Sequence, residues 1–362
     1  MPNLSDTEKQ KIPATGAPPA LRRASCLPAS SRLVSSPNML PCFNADTPPL
    51  FLAPMAGFTD TAFRSLCKQH GADVVLTEFV QSEPLRREVH RVWQSLRFPA
   101  DQRPLGIQLF GADPASMSHA AVLLEERLRP DFIDLNFGCP AKNVIEQNAG
   151  ASLLRHPALL SQIASAVVRA VPLTPVTAKI RTGWNSASIS TADTARRLED
   201  AGVRTITIHG RTCSQGYSGE ANWDEIARAV AAVTLPVVGN GDIRDASSAL
   251  LRIRQSGVAG IMIGRAALSN PWVFREIKAA LLNQPLPAPP SENERLAALI
   301  TFAQILDRQH NEIFGNSDDI RWMFPRLYPL TRALPGGRKL RASLSLCNSL
   351  HDLIRLCSSP AA

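Results

Sequence analysis

The chain contains no apolar run approaching the ~18 residues that span a bilayer, which excludes a helical membrane protein. From Met1 to Thr15 it is polar and lacks the apolar core of a signal peptide. It has no C-x-x-C pair. Its cysteines are odd in number and scattered (Cys26, Cys42, Cys67, Cys139, Cys213, Cys347 and Cys357), which argues against a disulfide framework or zinc ribbon and for a reducing cytoplasm. No cluster has metal-ligand spacing: His209 and Cys213 form an isolated pair, so no metal is expected. With 44% hydrophobic residues, a wholly disordered or collagen-like chain is also excluded.

What is present divides into three textures. Residues 1–48 mix Pro, Ser and isolated charges without helical or strand period. Arg22, Arg23, Arg32 and several serines suit an organellar transit peptide, but Asp6, Glu8 and the prolines favour a disordered extension or an upstream start codon. From Leu50, eight near-continuous apolar or β-branched runs appear: 50–54, 73–77, 104–109, 131–136, 175–181, 203–209, 236–240 and 259–263. Such runs fit strands buried on both faces. Intervening segments such as 113–128, 156–171 and 189–201 are long enough for one helix each. Eight strand–helix repeats predict a (β/α)₈ TIM barrel over residues 49–282. An open doubly wound sheet is the runner-up, but no G-x-G-x-x-G follows the first strand.

A Pro-rich linker, 283–291, precedes a predicted all-helical domain, 292–362, whose first helix starts at Ser291 with Glu294 three residues on. From Ile320 to His351 acidic residues are missing altogether, while Arg321, Arg326, Arg332, Arg338, Lys339 and Arg341 alternate with Trp322, Phe324 and Tyr328. The stretch reads equally as a phosphate-binding surface with stacking groups or as a solvated basic face over an aromatic core. The net charge of +8 favours an anionic partner without naming one.

In a barrel, chemistry gathers where strands end. Here the ends carry Ala53-Pro54-Met55-Ala56-Gly57, Thr77-Glu78, Gln108, Asn136-Phe137-Gly138-Cys139-Pro140, Lys179-Ile180-Arg181, His209-Gly210-Arg211, Asn240-Gly241-Asp242 and Gly264-Arg265. A packed interior has no structural use for so many polar groups at one rim. Gly241, Gly264 and Arg265, after strands seven and eight, suit a phosphate. Lys179 and Gln108, deeper, suit a planar ring with polar edges, so a phosphorylated cofactor, preferably a flavin, is expected. Cys139 lies between Gly138 and Pro140 on a rim turn, where a reactive thiol (nucleophile or proton donor) is favoured over a small core hydrophobe. His209 is a candidate acid/base or hydrogen-bond donor.

The strings APMAGFTDTAFR (53–64), DLNFGCPAKNV (134–144), GASLL (150–154), KIRTGW (179–184), HGRTCSQGYSGEANW (209–223), NGDI (240–243) and IGRAALSNPWVF (263–274) resemble the tRNA-dihydrouridine synthases, most closely the bacterial B-type branch. The resemblance implies FMN against Pro54, Met55 and Ala56. It puts the flavin's polar edge at Gln108 and Lys179, with His209 near flavin and substrate. Asn240, Gly241, Asp242, Gly264 and Arg265 take the ribityl phosphate end. Asn136 and Arg181 line a uracil pocket, and Cys139 is the proton donor. With tRNA as the implied partner, Arg321, Arg326 and Lys339 become candidate backbone contacts. The expected enzyme is a cytoplasmic monomer that reduces tRNA uridines with NADPH or NADH. Two alternatives stand beside it: an oxidoreductase of a free pyrimidine, resembling dihydroorotate dehydrogenases, and a non-catalytic tRNA-binding flavoprotein.

Overall fold

Eight short parallel strands, buried on both faces, close into a barrel. They are β1 (Leu50–Leu52), β2 (Val74–Leu76), β3 (Leu105–Phe110), β4 (Phe132–Phe137), β5 (Val176–Arg181), β6 (Thr205–His209), β7 (Val237–Asn240) and β8 (Gly260–Ile263). Each matches its apolar run to within two residues at either end. The ring closes where β8 returns to β1, pairing Leu50 with Ile261 and Phe51 with Met262. A two-residue strand, Val80–Gln81, adds only to the end of β3. The structure, a computed structural model, describes residues 40–44, 46–315 and 319–358. All belong to one unit, Ser35–Ala362. The disordered extension expected over 1–48 lies, up to residue 39, outside the described residues.

Four of the crossover helices start on side-chain caps. Asp60 accepts from Phe63 N at the start of α1 (Thr61–Gln69), and Asp113 accepts from Ser116 N at α2 (Pro114–Arg127). α3 (Pro157–Ala170) and α4 (Thr191–Asp200) follow. Asn222 caps α5 (Trp223–Val230), and Asp245 with Ser248 forms a capping box on α6 (Ala246–Ser256). α7 (Val273–Leu281) completes the ring. The β2–β3 connection has no long helix and uses two short ones, Ser82–Arg86 and His90–Ser95.

Register decides what faces inward. Gln108 pairs with Asp134 and Asp134 with Thr177, giving one lateral row across β3, β4 and β5. Asn136 pairs with Lys179, and Arg181 with His209, which pairs with Asn240. Polar side chains therefore rise toward one end, over an apolar plug containing Phe51, Val74, Phe132, Val238 and Met262. Packing there is tight: a Cβ on Gly106 would stand 2.1 Å from the Phe132 ring. Leu40 and Phe43 are buried in the same cluster, with the Phe43 and Phe51 rings 6.1 Å apart. Ordered packing thus begins before residue 49, because two apolar side chains in a polar stretch find the barrel's core.

Beyond the barrel lies α8 (Glu292–Phe314), opened by the Ser291–Glu294 capping box and packed on α1 through Phe63 and Phe302, 5.8 Å apart. Short turns follow, Arg321–Met323, Phe324–Leu327 and Tyr328–Ala333, with Pro325 and Pro329 each in a first turn where no N–H is required. α9 (Gly337–Leu344) and α10 (Leu350–Ser358) end the described chain. No described helix is long and apolar enough to cross a membrane.

Candidate active site

The strand ends open into a cavity of about 1080 Å³. Pro54, Met55, Ala56, Gln108, Asn136, Cys139, Lys179, Arg181, His209, Asn240, Gly241, Asp242, Gly264 and Arg265 all line it. Arg321, Arg326 and Lys339 do not. Arg321 is exposed and paired with Asp319; Lys339 is exposed on α9. Arg326 is half-buried and donates to Asp60 (3.0 Å) and to the Trp322 carbonyl (3.2 Å), so it ties the C-terminal helices to the barrel.

Cys139 sits on a turn held from several sides. Asn136 Oδ1 accepts from the N–H groups of Gly138 (3.1 Å) and Cys139 (2.9 Å), and the Cys139 carbonyl accepts from Ala151 N (3.0 Å). Arg181 donates to the Gly138 carbonyl (2.9 Å) and, on the other side, to the carbonyls of Thr212 and Gly216 (2.8 Å each). Burial pushes the Cys139 thiol above its ordinary value, outweighing the Ala141 N–H on its sulfur and the nearby Arg181 and Lys179 cations. The thiol is therefore neutral at physiological pH and has a proton to give.

Lys179, half-buried, donates to Asn240 Oδ1 (3.2 Å), whose own amide donates to the Met262 carbonyl (2.7 Å). Burial first, then the Arg181 charge, pull the ammonium down to about 8. Burial and the surrounding cations depress His209 to about 2, so its imidazole is neutral and serves as a hydrogen-bonding group, not a cationic acid. Asp242 is the sole carboxylate among the lining residues, against Lys179, Arg181, Arg244, Arg265 and Arg332. It is already engaged: Arg211 donates to both its oxygens (3.0 and 2.8 Å), Ala221 N to one (2.8 Å), and Arg265 approaches to 3.4 Å. Burial alone would raise this carboxyl, but these partners hold it below the usual range.

The donor set suits a flat anionic ligand. Ala53, Pro54, Met55, Met262 and Leu268 supply an apolar wall, while Arg244, Arg265 and Arg332 supply cations. Gly241 has φ +126°, and a Cβ there would meet the Ala221 Cβ at 2.6 Å, so only glycine fits this loop. At about 1080 Å³ the cavity lies at the top of the ~300–1,000 Å³ range of ligand pockets, ample for a planar phosphorylated ligand. Among the described residues, no group of three His, Cys, Asp or Glu side chains gathers to hold a metal.

A family model described as Dihydrouridine synthase (Dus) matches residues 51–359. The chain belongs to the dihydrouridine synthase family. It is 39% identical to tRNA-dihydrouridine synthase B of Pseudomonas aeruginosa over 317 residues, which span 86% of this chain and 91% of that one. A probable tRNA-dihydrouridine synthase of Rhodobacter capsulatus is 44% identical over 252 residues, 68% of this chain and 76% of that one.

Three features of the site go beyond the sequence reading, which named Arg332 only within a basic stretch and did not place it at the cavity. Arg332 reaches the cavity from the C-terminal helices, because the turn Tyr328–Ala333 packs on the short helix Arg265–Ser269. Tyr217 stands 62% exposed at the cavity, with the Arg265 guanidinium 5.0 Å and that of Arg181 5.8 Å from its ring. Asp134, 1% exposed, lies behind the lining. The first is a matter of tertiary docking, whereas Asp134 and Tyr217 both stand inside the matched strings 134–144 and 209–223.

Proposed function

We propose that this enzyme reduces uridines in tRNA to 5,6-dihydrouridine, with FMN as cofactor, NADPH as reductant and Cys139 as proton donor. Family membership supports the reaction class, and one observation carries the residue assignment. A neutral thiol on a fixed turn opens into the same cation-lined cavity as Lys179.

Bound flavin supplies a hydride to an electron-poor ring carbon. The chain's residues do the rest. Pro54, Met55 and Ala56 offer an apolar face to the ring, with Gln108 and Lys179 at its polar edge and the neutral His209 near flavin and base. Asn240, Gly241, Asp242, Gly264 and Arg265 hold the phosphate end, Asp242 by fixing Arg211 and Arg265 in place and not by touching an anion. Asn136 and Arg181 shape the uracil pocket largely by holding its walls. Uracil is a conjugated enone: hydride enters at C6, and charge delocalises over C5 and the O4 carbonyl. The Cys139 thiol protonates C5, its sulfur becoming a thiolate that Arg181 and Lys179 stabilise. Lys179 stabilises negative charge at the cavity's inner end.

The target base must leave the RNA stack to reach this depth. Lys339 on α9 and Arg332 at the rim suit the phosphates flanking that base, and Arg321 suits a more distant phosphate. Arg326, paired with Asp60, serves the tRNA surface by positioning these turns. This reading has the enzyme acting as a monomer in the cytoplasm.

The test is mass spectrometry of nucleosides from unmodified tRNA incubated with the protein and NADPH. A uridine two hydrogens heavier is expected with the wild type, and at least about 100-fold less with Cys139→Ala, tRNA and flavin remaining bound. Full turnover in Cys139→Ala would remove the thiol from the mechanism. Bound flavin and tRNA without product in the wild type would favour a non-catalytic flavoprotein.

A further inference from the structure

Asp134 is the most buried acid in the barrel's interior row and is absent from the cavity lining. Its two oxygens are both used: Oδ2 accepts from Gln108 Nε2 (2.6 Å) and Oδ1 from the Thr177 hydroxyl (2.5 Å). Gln108 is 0% exposed, and its Oε1 accepts from Asn136 Nδ2 (2.9 Å). Asn136 Oδ1 in turn accepts from Gly138 N and Cys139 N.

This chain has a direction that cannot be reversed. Backbone N–H groups only donate, so Asn136 must present its oxygen to the turn and its NH₂ to Gln108. Gln108 must then present its oxygen to Asn136 and its NH₂ onward, to a group that only accepts. An ionised carboxylate is that group; an apolar side chain is not. Burial raises the Asp134 carboxyl to about 6, against the opposing bonds from Gln108 and Thr177 and the Lys179 charge, so it is an acceptor at neutral pH.

We propose that Asp134 is a positioning residue for the proton donor: through Gln108 and Asn136 it fixes both side-chain amides and, with them, the turn that aims Cys139 into the cavity. The inference rests on the reading of Cys139 as proton donor. Without the terminal acceptor, the Gln108 NH₂ is left buried and unpaired, so Gln108 shifts to find another partner and no longer holds the Asn136 amide against the turn. The turn then loosens, and the Cys139 thiol loses its fixed place near the Arg181 and Lys179 cations that favour its ionised form. Asn at this position retains the relay, because its carbonyl oxygen can accept from Gln108 while the Thr177 hydroxyl rotates to accept from its NH₂.

The experiment measures alkylation of Cys139 by iodoacetamide against pH in the flavin-bound protein, read by peptide mass spectrometry alongside thermal unfolding. Asp134→Leu is expected to slow alkylation at a fixed mildly alkaline pH by at least about threefold and to move the profile to higher pH, with tRNA reduction falling in parallel. Asp134→Asn is expected to keep the wild-type profile. Where Asp134→Leu does not fold, Gln108→Met cuts the chain one link later, and the same upward move is expected. A folded Asp134→Leu or Gln108→Met with the wild-type profile overturns the proposal. So does Asp134→Asn moving as far as Asp134→Leu, since the charge, not acceptor geometry, would then set the turn. Failure of the wild type to reduce tRNA sinks the functional reading while leaving the alkylation comparison intact, so the two failures are distinguishable.

Discussion

Lys179 holds a charge where the fold gives it little help. Its nearest bonded partner is a neutral amide oxygen, and its ammonium is pulled from 10.5 to about 8 by burial and by Arg181. Between these values the unfolded chain binds more protons than the folded one, so stability rises with pH across that window. Below about 8 the penalty is fully present; above 10.5 it is gone. Lys179→Met in flavin-free protein is therefore expected to raise the unfolding temperature at neutral pH by about 2–4 °C, the gain shrinking as pH climbs. Calorimetry across that range checks it: a less stable variant at pH 7 would mean the bond to Asn240 outweighs desolvation. Legibility in sequence follows the same logic of cost. Lys179 and Cys139 stood out because strand ends seldom carry such groups without reason. Asp134 did not, because an acid within an apolar strand reads as part of a buried run, and its partners come from neighbouring strands.

At the scale of elements, one side chain works for two of them. Asp60 caps α1 and also takes the Arg326 guanidinium from the turns after α8. Arg326→Ala removes one of these services and Asp60→Ala both. Asp60→Ala is expected to be the costlier by about 1 kcal/mol, the usual worth of a cap. The double variant should show a coupling of at least about 0.5 kcal/mol in denaturant unfolding; strict additivity would mean the ion pair contributes nothing. Sequence reading took Arg326 for an RNA contact because a basic side chain among aromatics suits either surface or core. In the structure its guanidinium pairs with Asp60, an acid 266 residues away that no local pattern could reveal. The helix start at Ser291, by contrast, was readable, since its capping box lies wholly within four consecutive residues.

At the scale of the whole molecule, the positive charge is unevenly spread. The cavity mouth gathers Arg244, Arg265 and Arg332, so binding of a polyanion is expected to weaken steeply with salt. Arg332→Ala should raise KM for tRNA severalfold and flatten the slope of log affinity against log salt by about one. Fluorescence titration of tRNA at several salt concentrations reads that slope, and an unchanged value removes Arg332 from the RNA interface. The barrel itself was legible because each buried strand is a local apolar run, whereas the docking of the C-terminal turns on its rim is a long-range event.

Barrel closure carries a consequence for synthesis. β1 receives its second neighbour only when Ile261, Met262 and Ile263 arrive to meet Leu50, Phe51 and Leu52. Until they do, β1 keeps one edge without a strand partner. Unpaired strand edges recruit other strands. The eighth strand removes this last open edge, and a chain cut short before Gly260 is expected to keep it.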